Sequence, residues 1–459
     1  MSNRSFIICL LIVLFSDLYA DESYCFRIYL HEKGETEYTL ERPESFLSPA
    51  ALERRQKRGI EVGPTDLPIS PVYIDSLSAL GGELVVQSKW LSTVVMVARD
   101  SLFAGRVKEL TIVDSVKWIW KGDPEAPYYG ERTSEDRLEA RDMLLKNVYG
   151  YAEEQIKMLN GIKLHEQGFL GEGLKVAVLD GGFMNVDRIS AFDSLRLIGT
   201  RNMVFPGRSV FEGDDHGTKV LACMAANLLG LMVGTAPKAS YLLIKSEDGR
   251  SEYPIEEDYW TAAVEYADSV GVDVVSSSLG YFNFDEDEMN YSVEDLDGKT
   301  SFISRAAQLA SQKGMLMIVS AGNEGNSRWE KITFPSDAED ILTVGAITGN
   351  KNKSTFSSVG FTADYRVKPD VVALGTGSTV IDAFGNIRYG NGTSFSTPIV
   401  AGLSICLWQA LPWLSNQELI HLLQSTSSQH KKPDAELGYG IPDVYKAYKE
   451  GLKHAKKQK

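Results

Sequence analysis

The stretch KVAVLDGG, residues 175–182, is a short apolar run closed by one aspartate and two glycines. It shows no polar alternation, so it reads as a strand buried on both faces rather than one with a wet side. The same grammar recurs downstream in SYLLIK (240–245), VDVVSSSLG (272–280), MLMIVSAGN (315–323), ILTVGAI (341–347) and DVVAL (370–374). Helical stretches separate most of these runs, among them DYWTAAVEYADSVG (258–271) and SFISRAAQLASQKG (301–314). Buried strands alternating with helices predict an α/β body around a mostly parallel sheet covered on both faces. In such a sheet reactive groups gather beyond the carboxyl ends of the strands.

Four residues stand at such ends or at helix starts. Asp180 closes the first strand, and His216 opens the small-residue helix in DDHGTKVLACMAANLLG (214–230). Asn323 sits in SAGNEG (320–325), and Ser394 sits in YGNGTSFSTPIVAG (389–402). Each has a plain structural reading: a turn aspartate, a capping histidine, a Gly-Asn turn and a helix N-cap serine. Together they supply a hydroxyl nucleophile, a base titrating near neutrality, a carboxylate and an amide donor for a developing oxyanion. The chain order Asp, His, Asn, Ser excludes an α/β-hydrolase, which runs Ser, acid, His.

At these motifs the chain resembles the subtilisin-like serine peptidases, the subtilase family (peptidase S8). The matching segments are VAVLDGG, DDHGTKVLA, SSSLG (276–280), SAGNEG and GTSFSTPIVAG, within residues 149–447. The resemblance implies a three-layer subtilisin-like fold and a serine endopeptidase working through an acyl-enzyme. In it Ser394 attacks, His216 carries the proton, Asp180 orients the imidazole, and Asn323 with the Ser394 N–H holds the oxyanion. It also implies that Ser278, Leu279 and Gly280, with Ala321 and Gly322, bind the substrate backbone. No cofactor is expected. No metal is expected either, because ANLLGLMVG (226–234), where some relatives bind calcium, carries paired leucines. Two departures are Lys219-Val220-Leu221-Ala222 after the histidine motif and Gly-Gly-Phe after Asp180.

Outward from this body, residues 21–123 read as a small α+β domain, and 124–148 as a linker followed by a helix. Residues 448–459 read as a basic tail. The resemblance makes the α+β part a propeptide that blocks the cleft until cut off between Leu144 and Tyr149; a permanent accessory domain is the alternative. Residues 1–20 have the form of a secretory signal, with Arg4, the apolar run 6–15 and Ala20 before Asp21. Export to a periplasmic or extracellular location follows, without stable membrane insertion. A net charge of -15 argues against nucleic acid as a partner and leaves protein or peptide substrates and the propeptide itself. Cys25, Cys223 and Cys406 form no disulfide framework. The acidic segment DEDEMNYSVEDLD (285–297) either edges the cleft and favours basic substrates or a cation, or is a solvated loop. A binding protein on the same scaffold is the rival from another class.

Overall fold

The computed structural model describes residues 22–124, 126, 136–140 and 142–457. The expected signal at 1–20 lies outside these residues.

The first body is the expected α+β domain. Strand β1 (Ser23–Leu30) precedes α1 (Pro49–Lys57) and α2 (Pro71–Ser78). Then come β2 (Glu83–Ser88), β3 (Thr93–Ala98), α3 (Phe103–Lys108) and β4 (Val113–Gly122). The strands form an antiparallel sheet in the order β2-β3-β1-β4. Helix α1 starts where Ser48 accepts the Ala51 N–H at 3.2 Å, with a proline in its first turn. Leu77, Phe103 and Val107 of the helices cover Phe26, Ile28, Val94 and Met96 of the sheet.

The second body begins with α4 (Glu153–Lys157) and α5 (Gly161–His165), then β5 (Lys175–Asp180) and β6 (Arg196–Asn202). Helix α6 (His216–Ala225) follows, and ANLLGLMVG folds into the hairpin β7 (Asn227–Leu228) and β8 (Met232–Val233). Next are β9 (Ser240–Lys245), α7 (Ile255–Val270), β10 (Val274–Ser277), α8 (Phe302–Gln312) and β11 (Leu316–Ser320). Strands β12 (Leu342–Ile347) and β13 (Val371–Leu374) complete the sheet. A hairpin of β14 (Thr376–Ile381) and β15 (Ile387–Asn391) leads to α9 (Thr393–Ala410), α10 (Asn416–Thr426) and α11 (Val444–Lys457).

The seven sheet strands lie in the order β13-β12-β11-β10-β5-β9-β6, every neighbour parallel. Successive residues face opposite layers, as strand geometry requires. Val176, Val178 and Leu243 pack with α6 and α9, while Ala177, Leu179 and Ile244 pack with α7 and α8. The absence of alternation in KVAVLD is thereby explained: both faces are core. Strands β5 and β10 are neighbours from which the chain order diverges, so the crevice at their carboxyl ends is a switch point.

The α+β domain docks on α7 and α8. Trp90, Val95, Ile119 and Trp120 join the core of that layer. Arg27 reaches across to Asp258, with its Nε 2.9 Å from both carboxylate oxygens. Arg54 and Arg55 both bond Asp268, and Asp66 ties Arg55 to Lys313, each at 2.7 Å. Glu265 accepts from Ser88 Oγ and from the Lys89 and Trp90 N–H groups.

Two expectations are corrected. Residues 136–140 and 142–147 carry no helix: Leu138 bridges to Ile189, and the Leu145 N–H bonds the Gly230 carbonyl at 2.8 Å. A short helix is marginal alone, and docking on the second body offers the backbone partners instead. The break expected after 447 is absent, because α11 continues to Lys457 and packs Tyr448 and Leu452 against the core. Cys25, Cys223 and Cys406 are buried and free.

Candidate active site

The crevice at the switch point is a cleft of about 340 Å³. Its lining includes His216, Ser278, Leu279, Gly280, Gly322, Asn323 and Ser394. Asp180 closes β5 beneath it, fully buried. Asp180 Oδ1 accepts from the Gly181 N–H at 2.8 Å and lies 2.7 Å from His216 Nδ1. This approach depends on Gly217: a Cβ there would stand 2.3 Å from the Gly182 carbonyl and 2.9 Å from Asp180 Cβ. The His-Gly pair at the start of α6 is thus a packing requirement that brings the imidazole onto the aspartate.

Burial disfavours the charged imidazole, but Asp180, Glu247 and Asp214 together more than offset it and lift His216 to about 9. Burial raises Asp180 above the usual carboxylate range, against the pull of His216. With Nδ1 held by Asp180, Nε2 is the nitrogen left for proton transfer.

Ser394 is the second residue of α9, so its backbone N–H belongs to the unpaired first turn. Its hydroxyl donates to the Ser278 carbonyl at 3.4 Å, and no bond to His216 is formed among the described residues. The Ser278 hydroxyl in turn donates to the Ser394 carbonyl at 3.0 Å, tying the substrate-strand candidate to α9. Asn323 Oδ1 accepts from the Thr393 N–H at 2.9 Å and its hydroxyl at 3.0 Å, which leaves Nδ2 as the free end. A Cβ on Gly392 would lie 3.6 Å from the Ser394 nitrogen and 3.8 Å from Asn323 Nδ2. The glycine therefore keeps open a space that faces two donors at once. Gly322 has φ +101°, and a side chain there would also strike Thr333.

One detail differs from the sequence reading. Ala321 is fully buried, with its N–H and carbonyl used by Val344 and Thr333, so it does not reach the cleft wall. Nearby, Gly390 makes room for Phe395, whose ring is 2.5 Å from its Cβ position. The acidic segment 285–297 does not line the cleft. Glu286 pairs with Lys121 of β4 at 2.5 Å, Asp285 pairs with the backbone of Glu252, and Asp295 and Asp297 cap local turns. Asp214, Glu247, Phe282, Glu324 and Thr333, which the sequence reading missed, do line it. Glu247 was findable by the rule that found Asp180, since it stands just past the carboxyl end of β9.

A parallel α/β sheet with a carboxylate, an imidazole and a serine at its switch point defines the class of serine hydrolases. The comparisons narrow it: residues 171–440 match the Subtilase family, Peptidase S8, and residues 25–131 match the Peptidase S8 propeptide domain of Bacteroidota. The chain belongs to the subtilase family and is a serine endopeptidase with a propeptide domain. It is 28% identical to Subtilisin NAT of Bacillus subtilis subsp. natto over 362 residues, 77% of this chain and 80% of the relative. It is 30% identical to Subtilisin BL of Lederbergia lenta over 270 residues, 58% and 87% of the two chains. A serine-to-alanine mutant of the protease domain of PatA shares the fold, with TM-score 0.50 at 20% identity over 62% of this chain and 98% of that one.

Proposed function

We propose that the chain is an exported endopeptidase that hydrolyses peptide bonds through Asp180, His216 and Ser394, and that it is made as a precursor inhibited by its own α+β domain. The observation that carries this reading is the 2.7 Å Asp180–His216 bond beside a serine on the first turn of α9, in one cleft. Substrate entry breaks the weak Ser394–Ser278 bond and turns Oγ to His216 Nε2, as apo hydrogen bonds often tighten only with substrate. Oγ then attacks the scissile carbonyl while Nε2 takes its proton. The imidazolium is held by Asp180 and returns the proton to the leaving amine. The oxyanion enters the space beside Gly392, facing Asn323 Nδ2 and the Ser394 N–H, with the α9 dipole adding favourable charge. Water and the same histidine release the acyl group. Ser278, Leu279, Gly280 and Gly322 line the cleft where the substrate backbone would lie.

Inhibition by the α+β domain is supported by its docking on α7 and α8. Arg250, three residues from cleft-lining Glu247, also holds the Ala126 carbonyl at 3.0 Å just past that domain. A cut between Leu144 and Tyr149 suits the exposed Met143, Leu144 and Val148. Export rests on the signal-like residues 1–20 and on the relatives; no helix among the described residues is long and apolar enough to cross a membrane. N-terminal sequencing of the secreted protein, with and without Ser394→Ala, tests the reading. Wild type should begin within 145–149 and the variant should keep its α+β domain. An active wild type that still carries residues 22–124 covalently contradicts the precursor.

A further inference from the structure

Beside His216 the cleft carries carboxyl groups that the proposed reaction does not use. Glu247 lines it, and both Glu247 Oε2 and Asp214 Oδ2 come within 2.8 Å of the Cβ position of Gly181, next to the catalytic aspartate. Behind them lies Glu256, in the first turn of α7 and only 1% exposed. Its Oε1 accepts the Asp248 N–H at 2.7 Å, which holds the carboxyl against the chain just after Glu247. Its Oε2 has no partner. Tyr281, one residue past Gly280, is 2% exposed, and its hydroxyl has no partner either. The Tyr281 main chain is fixed, because its N–H and carbonyl both pair with Phe334 at 2.9 Å. Glu247 and Glu252 are among the charges that act on both Glu256 and Tyr281, so the four groups form one cluster.

Buried polar atoms without partners are rare and call for a ligand or a reason. The neighbouring carboxylates of the same helix all have one: Glu257 and Asp258 meet Arg27, Glu265 accepts three donors, and Asp268 meets two arginines. Burial pushes Glu247 up to about 7, against the pull of His216, and Glu256 well above its ordinary range, although the buried Lys245 amine lies close enough to act on Glu247 and Asp214. A metal fits poorly, since no group of three or more ligating side chains with metal geometry exists among the described residues. A guanidinium or ammonium supplies several donors to carboxylates spread around it, and does not require tight coordination.

We propose that Glu247, Glu256 and Asp214, with Tyr281 beneath, form a specificity subsite of the cleft that receives a basic side chain, arginine or lysine, of the peptide substrate. The proposal rests on the proteolytic reading above and deepens it by naming a substrate class. The peptide backbone would lie along Ser278–Gly280, and the side chain would turn toward Glu247.

The test uses the purified, processed enzyme and fluorogenic peptides made as twins, with arginine or norleucine at each position before the scissile bond in turn. At one position the arginine twin should have at least a tenfold higher kcat/KM. Glu256→Gln and, separately, Glu247→Gln should each cut that ratio by about tenfold. A ratio near one at every position in wild type overturns the proposal. So does an equal fall for both twins in the two variants, which marks a merely structural role, or a preference abolished by a chelator. If neither twin is cleaved and a fluorophosphonate does not label Ser394, the proteolytic reading fails instead. The affinities of the same twins, read by fluorescence polarisation, then decide the subsite: tighter arginine binding upholds it, and equal binding overturns it.

Discussion

On the docking face of α7, Asp258 and Asp268 are neutralised by Arg27, Arg54 and Arg55, side chains that stay charged at any ordinary pH. In the cleft, Asp180 and its neighbours Asp214 and Glu247 face an imidazole, which titrates, and the buried Lys245 amine, whose pKa burial lowers. Both regions concentrate negative charge, yet one is locked and the other is left open to protons and to substrate. The difference separates two jobs. The docking face holds one fixed partner supplied by the same chain, whereas the cleft must change its charge state during each turnover and accept partners from outside.

Four experiments press on this contrast. Asp180→Asn leaves the imidazole without its anion and removes the group that fixes Nδ1. The expected outcome is a fall in kcat of about 10⁴-fold, read with any cleavable peptide. A fall under tenfold would mean that the cleft does not depend on its buried anion. At the docking face, Arg27→Ala strands Asp258 as a buried charge. Placed in the uncut Ser394→Ala precursor, it should lower stability to urea by about 3–5 kcal/mol. A negligible change would show that the two bodies are not held by this pair. Asn323→Leu removes a donor to the developing oxyanion while keeping the side-chain bulk. It should lower kcat by roughly 10²–10³-fold with KM little changed. Last and smallest is the pH profile. His216 acts as a base only when neutral, and its pKa is held at about 9, so kcat/KM should climb with pH and level off above about 9. Glu247→Gln removes one of the charges that raise it and should move this limb to lower pH. An unmoved limb would break the picture of a titratable cleft.

Much of this was legible before any coordinates. The unbroken apolar runs announced strands buried on both faces, and Asp180, His216, Asn323 and Ser394 lie at strand ends or helix starts because that is where such sheets end in loops. What could not be read was pairing between segments far apart in sequence. Residues 124–148 read as a linker followed by a helix, but Leu138 and Leu145 find backbone partners on the second body. The charge run 285–297 left open whether it edges the cleft or is a solvated loop, and its Glu286 answers Lys121 of the α+β domain. The carboxyl groups that do line the cleft, Asp214, Glu247 and Glu324, belong to no long charge run that would mark them. Ala321 shows the same limit at finer scale, because adjacent residues of one loop point to opposite sides and only Gly322 reaches the cleft.

The most direct test of the central claim is fluorophosphonate labelling of the processed protein, mapped by peptide mass spectrometry. A serine activated by His216 should take one label, on Ser394, and labelling should vanish in Ser394→Ala and fall sharply in His216→Ala. A processed, folded protein that takes no label, or takes it at another residue, would contradict the claim that this cleft performs acyl transfer.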